Sequence, residues 1–172
     1  MPRKAIFLLK DFSGNHIVVN PGRKEVQIRK ILVPTDFSPY SAQVLEYAAM
    51  MARGFHAKVT LMHVIEPFHY SVTDTLNVVG HDKALKTIAS TLLDNSCKTL
   101  REKGLKVETY LSSGIPYREI LRKARLEKSG LILMGTHGRT GVEHLLFGSV
   151  AEKVLRMAPC PVLTIRSSTK GG

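Results

Sequence analysis

Short apolar runs alternate along this chain with longer stretches in which apolar residues recur at every third or fourth position. The run Ile31-Leu32-Val33 predicts a buried strand. Ser38 followed by Pro39 then predicts a helix start, because serine caps a first turn and the fixed φ of proline suits its first position. That helix is expected to run to about Arg53, with Ala42, Leu45, Ala48 and Ala49 on its core face and Gly54 as its stop. Residues 58–64 predict the second strand. Residues 66–80 show no period and predict a loop, followed by a long helix from about Asp82 to Lys103 that Gly104 ends. Residues 105–111 alternate as a third strand, and Pro116 opens a helix whose core face carries Ile120, Leu121 and Ala124. Leu131-Ile132-Leu133-Met134 predicts a fourth strand running into Gly135. A glycine-punctuated loop then reaches Gly148, and a helix from Ser149 and a last strand, Val162–Ile165, complete the pattern.

Strand and helix in alternation imply a parallel sheet, because parallel neighbours need a crossover and helices supply it. The predicted fold is α/β, doubly wound and Rossmann-like: five parallel strands in the order 3-2-1-4-5 with helices on both faces. In that order the switch point lies between the first and fourth strands. The turns that follow them, Pro34-Thr35-Asp36 and residues 135–148, would then meet at one crevice, where such sheets collect ligands.

Composition narrows the classes of function. A hydrophobic share of 44% and a charged share of 23% describe a globular chain rather than a disordered or membrane-embedded one. The charge of +11 raises nucleic acid, acidic lipid or nucleotide phosphate as partners. Its distribution argues against nucleic acid: the cations of residues 98–128 fall between apolar positions at helical spacing, and with no Trp and few aromatics there is no base-stacking platform. The N-terminal apolar run stops at Lys10 and Asp11, too early for an export core, so a cytoplasmic location is expected. Cys97 and Cys160 lie far apart with no CxxC spacing, which predicts buried free thiols rather than a disulfide or a zinc site.

The turn GTHGRTGVEHLLFGSVAE carries the candidate chemistry. Gly135 and Gly138 bracket two residues, and Ser149 follows Gly148 at a helix start. Such glycines let backbone N–H groups close on phosphate oxygens, and a helix beginning at Ser149 adds its free amides and the positive end of its dipole. Ser149 with Glu152 three residues later also matches a capping box, so this serine serves its own helix, a phosphate, or both in turn.

With these segments in hand the chain resembles the universal stress proteins, and among them the ATP-binding branch. The likeness rests on the spacing of Gly135, Gly138, Gly148 and Ser149, on ILVPTDFS at residues 31–38 and on PCPVLTI at 159–165, and it covers about residues 29–166. It implies ATP, with Mg²⁺, as the cofactor. Asp36 would sit at the adenine and ribose end with Pro34 and Thr35 shaping the turn, and the backbone of Val64 would border the base. Met134 and Gly135 would pass beneath the ribose, while Gly138, Gly148, Ser149 and Val150 hold the phosphates, with His137 and Arg139 as further contacts. The resemblance also implies a homodimer in which Val162–Ile165 pairs with its copy, an arrangement that would cover an apolar edge strand. Residues 1–28 extend beyond the family domain. Residues 6–10 and 16–20, with a turn at 11–15, predict a small hairpin, a tail being the competing reading. Residues 167–172 form a C-terminal tail.

Enzymatic alternatives find little support in the residues. A P-loop would need lysine before Ser149, where Phe147 and Gly148 stand. A receiver domain would need an acidic pair where Pro34-Thr35 stands. His137 and His144 have no nameable orienting partner for acid–base work. The sequence thus points away from an efficient enzyme, names no catalytic residue or resident metal site, and leaves slow ATP hydrolysis open. The expected function is a dimeric, nucleotide-dependent stress-response or signalling module with an unknown protein partner. The alternative is a nucleotide-free interaction module of the same fold.

Overall fold

The computed structural model describes residues 7–10, 16–19, 28–66, 78–136 and 148–166. The elements run β1 (Phe7–Lys10), β2 (His16–Val19), β3 (Lys30–Pro34), α1 (Pro39–Phe55), β4 (Lys58–Ile65), α2 (Val78–Glu102), β5 (Val107–Ser113), α3 (Pro116–Glu127), β6 (Leu131–Gly135), α4 (Ser149–Met157) and β7 (Val162–Ile165). Five of these strands are parallel in the order β5-β4-β3-β6-β7, which is the predicted 3-2-1-4-5. The predicted turn at residues 11–15, most of the loop at 66–80, and His144 lie outside the described residues.

The central strand shows why its sequence is apolar without interruption. Successive side chains of a strand point to opposite faces, and both faces here are covered. Ile31 and Val33 enter one core with α1 and α2, where Val44, Ala48, Leu93 and Leu100 meet them. Leu32 enters the other, against Ile120, Leu121 and Ala124 of α3 and Val154 of α4. The same division repeats on β6, with Leu131 and Leu133 on the first side and Ile132 and Met134 on the second.

Local differences from the predicted pattern have physical causes. On α1 the buried residues are Val44, Ala48, Ala49 and Ala52, whereas Ala42 is exposed and Leu45 only half-buried. The helix also passes Gly54 and ends with His56 in the left-handed region (φ 51°), its N–H bonded to the carbonyls of Ala52 and Arg53. Lys128 closes α3 in the same way at φ 54°. Left-handed backbone costs a residue with a Cβ about 1–2 kcal/mol, and both side chains are exposed. His56→Gly and Lys128→Gly are each expected to stabilise the chain by about 1 kcal/mol, after the entropy cost of glycine. A rise of about 2–4 °C in the midpoint of a thermal melt for each would show it.

The two cysteines are free and buried, one in each core. Burial pushes the Cys160 thiol up to about 11 from its ordinary 9.0. The folded chain therefore keeps a proton that the unfolded chain gives up near pH 9, so this contribution to stability is whole below pH 9 and is lost as pH rises towards 11. Melts across that range are expected to fall in midpoint, and a thiol reagent at about pH 8 is expected to react with both cysteines only as the chain unfolds.

Val162–Ile165, the strand that the resemblance gives to a homodimer, has a neighbour within the chain at its outer edge. There β2 lies antiparallel along it, with Ile17 facing Ile165, Val18 facing Thr164 and Val19 facing Leu163. The strand β1 pairs antiparallel with β2 in turn and becomes the border of a seven-stranded sheet. The physical reason is strand demand: β7 is buried throughout and apolar but for Thr164, and the N-terminal hairpin meets its backbone groups from within the chain.

Candidate functional site

A cavity of about 660 Å³ opens at the carboxyl ends of β3, β4 and β6. It brings together Pro34, Thr35 and Asp36 from the turn after β3, Val64 from β4, Met134 and Gly135 from β6, and Gly148, Ser149 and Val150 from the start of α4. These are nine of the twelve residues expected at the site, so the predicted meeting of the two turns is present in the structure. The other three, His137, Gly138 and Arg139, lie outside the described residues.

The first turn is braced from several directions. Thr35 N–H donates to Met62 O at 2.8 Å, which holds the turn to β4. Phe37 N–H donates to Thr35 Oγ1 at 3.1 Å, and Ser38 N–H donates to Asp36 Oδ1 at 3.1 Å. Phe37 sits at φ 60°, an uncommon conformation for an aromatic residue. Its ring lies 4.4 Å from that of His63. The contact between His63 Nδ1 and Thr35 O, at 2.8 Å, requires the ring nitrogen to carry the proton, since a carbonyl only accepts. The effect is to hold Asp36 beside the cavity at the mouth of the central strand.

The second wall is built around a helix start. Gly148 N–H donates to Thr136 O at 2.7 Å, and Thr136 N–H donates to Ile165 O at 3.0 Å. The two ends of the 137–147 segment are thereby pinned together over β7. Gly148 is the N-cap, with φ −70° and ψ 159° and no side-chain capping bond. Ser149 is already helical, so the capping box suggested by its spacing to Glu152 is not made; Glu152 instead reaches Arg156 at 3.6 Å. The first bond of the helical ladder runs from Glu152 N–H to Gly148 O. The amides of Ser149, Val150 and Ala151 precede that ladder, and all three residues line the cavity. Three such amides and the positive end of the α4 dipole favour an anion there. The amide of Gly148 itself is engaged with Thr136 O.

Several lining residues had no sequence signal. Thr136 and His63 act through backbone partners that only the fold brings near. Leu85, Ile88 and Leu92 of α2 add an apolar wall whose helical spacing reads from sequence as ordinary core, although Ile88 is 57% exposed. Among the described residues no cluster of three or more His, Cys, Asp or Glu is placed to hold a metal ion, and no helix is long and apolar enough to cross a membrane.

The family model described as "Universal stress protein family" matches residues 27–166. Universal stress protein MJ0531 of Methanocaldococcus jannaschii is 34% identical over 173 residues, spanning 97% of this chain and 99% of its own length. The chain belongs to the universal stress protein family. The MJ0531 match is long enough to take in the N-terminal hairpin as well as the family domain. Among solved structures, MJ0577 from the same organism superposes with a TM-score of 0.76 at 31% identity, covering 84% of this chain and all of that one. A universal stress protein from Archaeoglobus fulgidus, solved in complex with dAMP, has a TM-score of 0.58 at 21% identity and covers 82% of this chain and 99% of that one; it shares the fold.

Proposed function

We propose that this universal stress protein binds ATP in the cavity between the Pro34–Asp36 turn and the start of α4, as a cytoplasmic, nucleotide-dependent stress-response module. One observation carries the reading: a braced carboxylate turn and an uncapped helix N-terminus line the same cavity, which suits a ligand with a hydrogen-bonding head and an anionic tail. The adenine and ribose would lie towards Asp36 and Val64, with Met134 and Gly135 beneath the sugar. The phosphates would lie over the amides of Ser149 and Val150, with His137, Gly138 and Arg139 as further contacts from the loop. The dAMP complex of the Archaeoglobus protein lends this reading support. Mg²⁺ would arrive with the phosphates, which supply its oxygen ligands, since the described residues offer no carboxylate cluster of their own. The homodimer through Val162–Ile165 stands in this reading as an assembly formed once β2 leaves that edge.

The test is direct. Protein purified without added nucleotide is denatured, any released small molecule is identified by chromatography and mass, and emptied protein is titrated with Mg-ATP. Adenine nucleotide near one per chain, or tight rebinding, is the expected result. No released nucleotide together with a silent titration would reject ATP binding and favour the nucleotide-free interaction module.

A further inference from the structure

We infer that the end of the sheet opposite the cavity is a docking surface for an anionic lipid bilayer, which the chain meets peripherally through basic segments and exposed apolar residues at helix ends. The inference is independent of nucleotide binding, because the cavity opens at the other end of the strands.

Topology gathers the surface. Each helix returns the chain to the amino end of the next parallel strand, so the starts of β3, β4, β5, β6 and β7 and the ends of α1, α2, α3 and α4 lie at one end of the molecule. Backbone bonds hold these segments side by side: Lys58 N–H donates to Arg29 O, Gly130 N–H to Lys30 O and Val59 N–H to Lys106 O, each at 2.9 Å. The Arg53 guanidinium adds a bond to Lys103 O at 3.0 Å. The charge collected there is mainly positive. Arg29 and Lys30 lead into β3, Lys103 and Lys106 into β5, and Arg125 and Lys128 close α3; all six are exposed, and none is ion-paired among the described residues. Of the described carboxylates at this end, Glu108 and Glu127 are held by Lys58 and Lys123, which leaves Glu102.

Apolar residues decide between anionic partners. Phe55, Leu126 and Met157 are 45%, 66% and 51% exposed, and they stand in the last turns of α1, α3 and α4 together with Arg53, Arg125 and Arg156. Helix dipoles account for arginine at those places. They account neither for the exposed apolar side chains beside it nor for the cations at the strand starts. A nucleic-acid backbone would use the charge alone. A bilayer uses both, since anionic headgroups attract the cations while apolar side chains enter the boundary between headgroup and acyl chain.

The experiment floats the full chain with vesicles of phosphatidylcholine alone, or with about 30% phosphatidylserine, in about 0.1 M salt. The chain is expected to float with the mixed vesicles and not with the neutral ones, and to be released at about 0.5 M salt as the charges are screened. Lys103→Gln/Lys106→Gln/Lys128→Gln should weaken vesicle binding at least tenfold, on the order expected for three lost cations. Phe55→Ser/Leu126→Ser alters no charge and should weaken it roughly tenfold. Both sets lie on the surface and should leave the thermal midpoint within about 2 °C; should either fail to fold, Lys106→Gln and Leu126→Ser alone are each expected to weaken binding at least about twofold. A chain that ignores the mixed vesicles, or floats equally with neutral ones, would overturn the inference. So would vesicle binding that the folded charge variant retains in full. Binding that the apolar pair leaves unchanged, with a DNA duplex of about 20 base pairs displacing the vesicles, would overturn it in favour of a nucleic-acid backbone.

Discussion

Replacing Gly148 by valine is expected to weaken Mg-ATP binding at least a hundredfold in isothermal titration while leaving the chain folded. The backbone tolerates the change, because φ −70° and ψ 159° lie in the region that β-branched residues favour, and the N–H bond to Thr136 O survives it. The loss of glycine as N-cap costs on the order of 1 kcal/mol, visible as a small fall in melting midpoint. The ligand is affected far more. Gly148 stands directly before the amides of Ser149 and Val150, so two methyl groups would occupy the space through which a phosphate approaches them. A hundredfold loss corresponds to about 2.7 kcal/mol, the scale of charge-assisted hydrogen bonds forfeited together. Adenosine, which has no phosphate, should bind the variant as well as it binds the natural chain. Unchanged ATP affinity would show that the start of α4 is not the phosphate end.

What could be read in the sequence follows from how local its causes are. Ile31-Leu32-Val33 and Leu131 to Met134 are plain because a strand covered on both faces has no polar position to break the run. The core face of α3 was legible in Ile120, Leu121 and Ala124 because charged residues hold most of the remaining positions, the exposed Leu126 being the apolar exception. On α1 small apolar residues occur on more than one side, so periodicity alone chose the exposed Ala42 and missed Val44 and Ala52, while Leu45 packs half-buried against the core. Gly54 drew the predicted helix end because glycine is the usual left-handed residue, yet the chain places His56 there. The third strand runs two residues further than predicted, since Ser112 and Ser113 look like a turn but pair with Val64 and Ile65. At the site, both turns were visible as the polar interruptions between apolar elements. The bond from His63 to Thr35 spans 28 positions and left no mark in either segment. The cover on β7 was equally hidden, because whether an edge is open depends on where a hairpin more than a hundred residues away docks.

Asp36→Asn is the second large effect, and it tests the opposite end of the ligand. The substitution keeps an oxygen for the Ser38 N–H bond, and the turn is held besides by Thr35, Phe37 and His63, so the backbone should stay in place. What changes is the hydrogen-bonding character of the group presented to the cavity: one acceptor oxygen becomes an NH₂ donor, and the negative charge is lost. A carboxylate that accepts from ribose hydroxyls or an adenine amino group forfeits about 1.5–3 kcal/mol by this exchange, or roughly ten- to a hundredfold in Kd. ATP and adenosine should lose affinity by the same factor, in contrast to Gly148→Val, which is expected to spare adenosine. The double variant Asp36→Asn/Gly148→Val should weaken ATP by the product of the two factors, since the substitutions address separate ends of the ligand. If Asp36→Asn strengthens ATP but leaves adenosine untouched, the nucleotide lies reversed, with its phosphates towards the β3 turn, where the lost carboxylate charge had repelled them. If it alters neither ligand, Asp36 serves only to shape the turn through Ser38, and the base must be recognised by the backbone along β4.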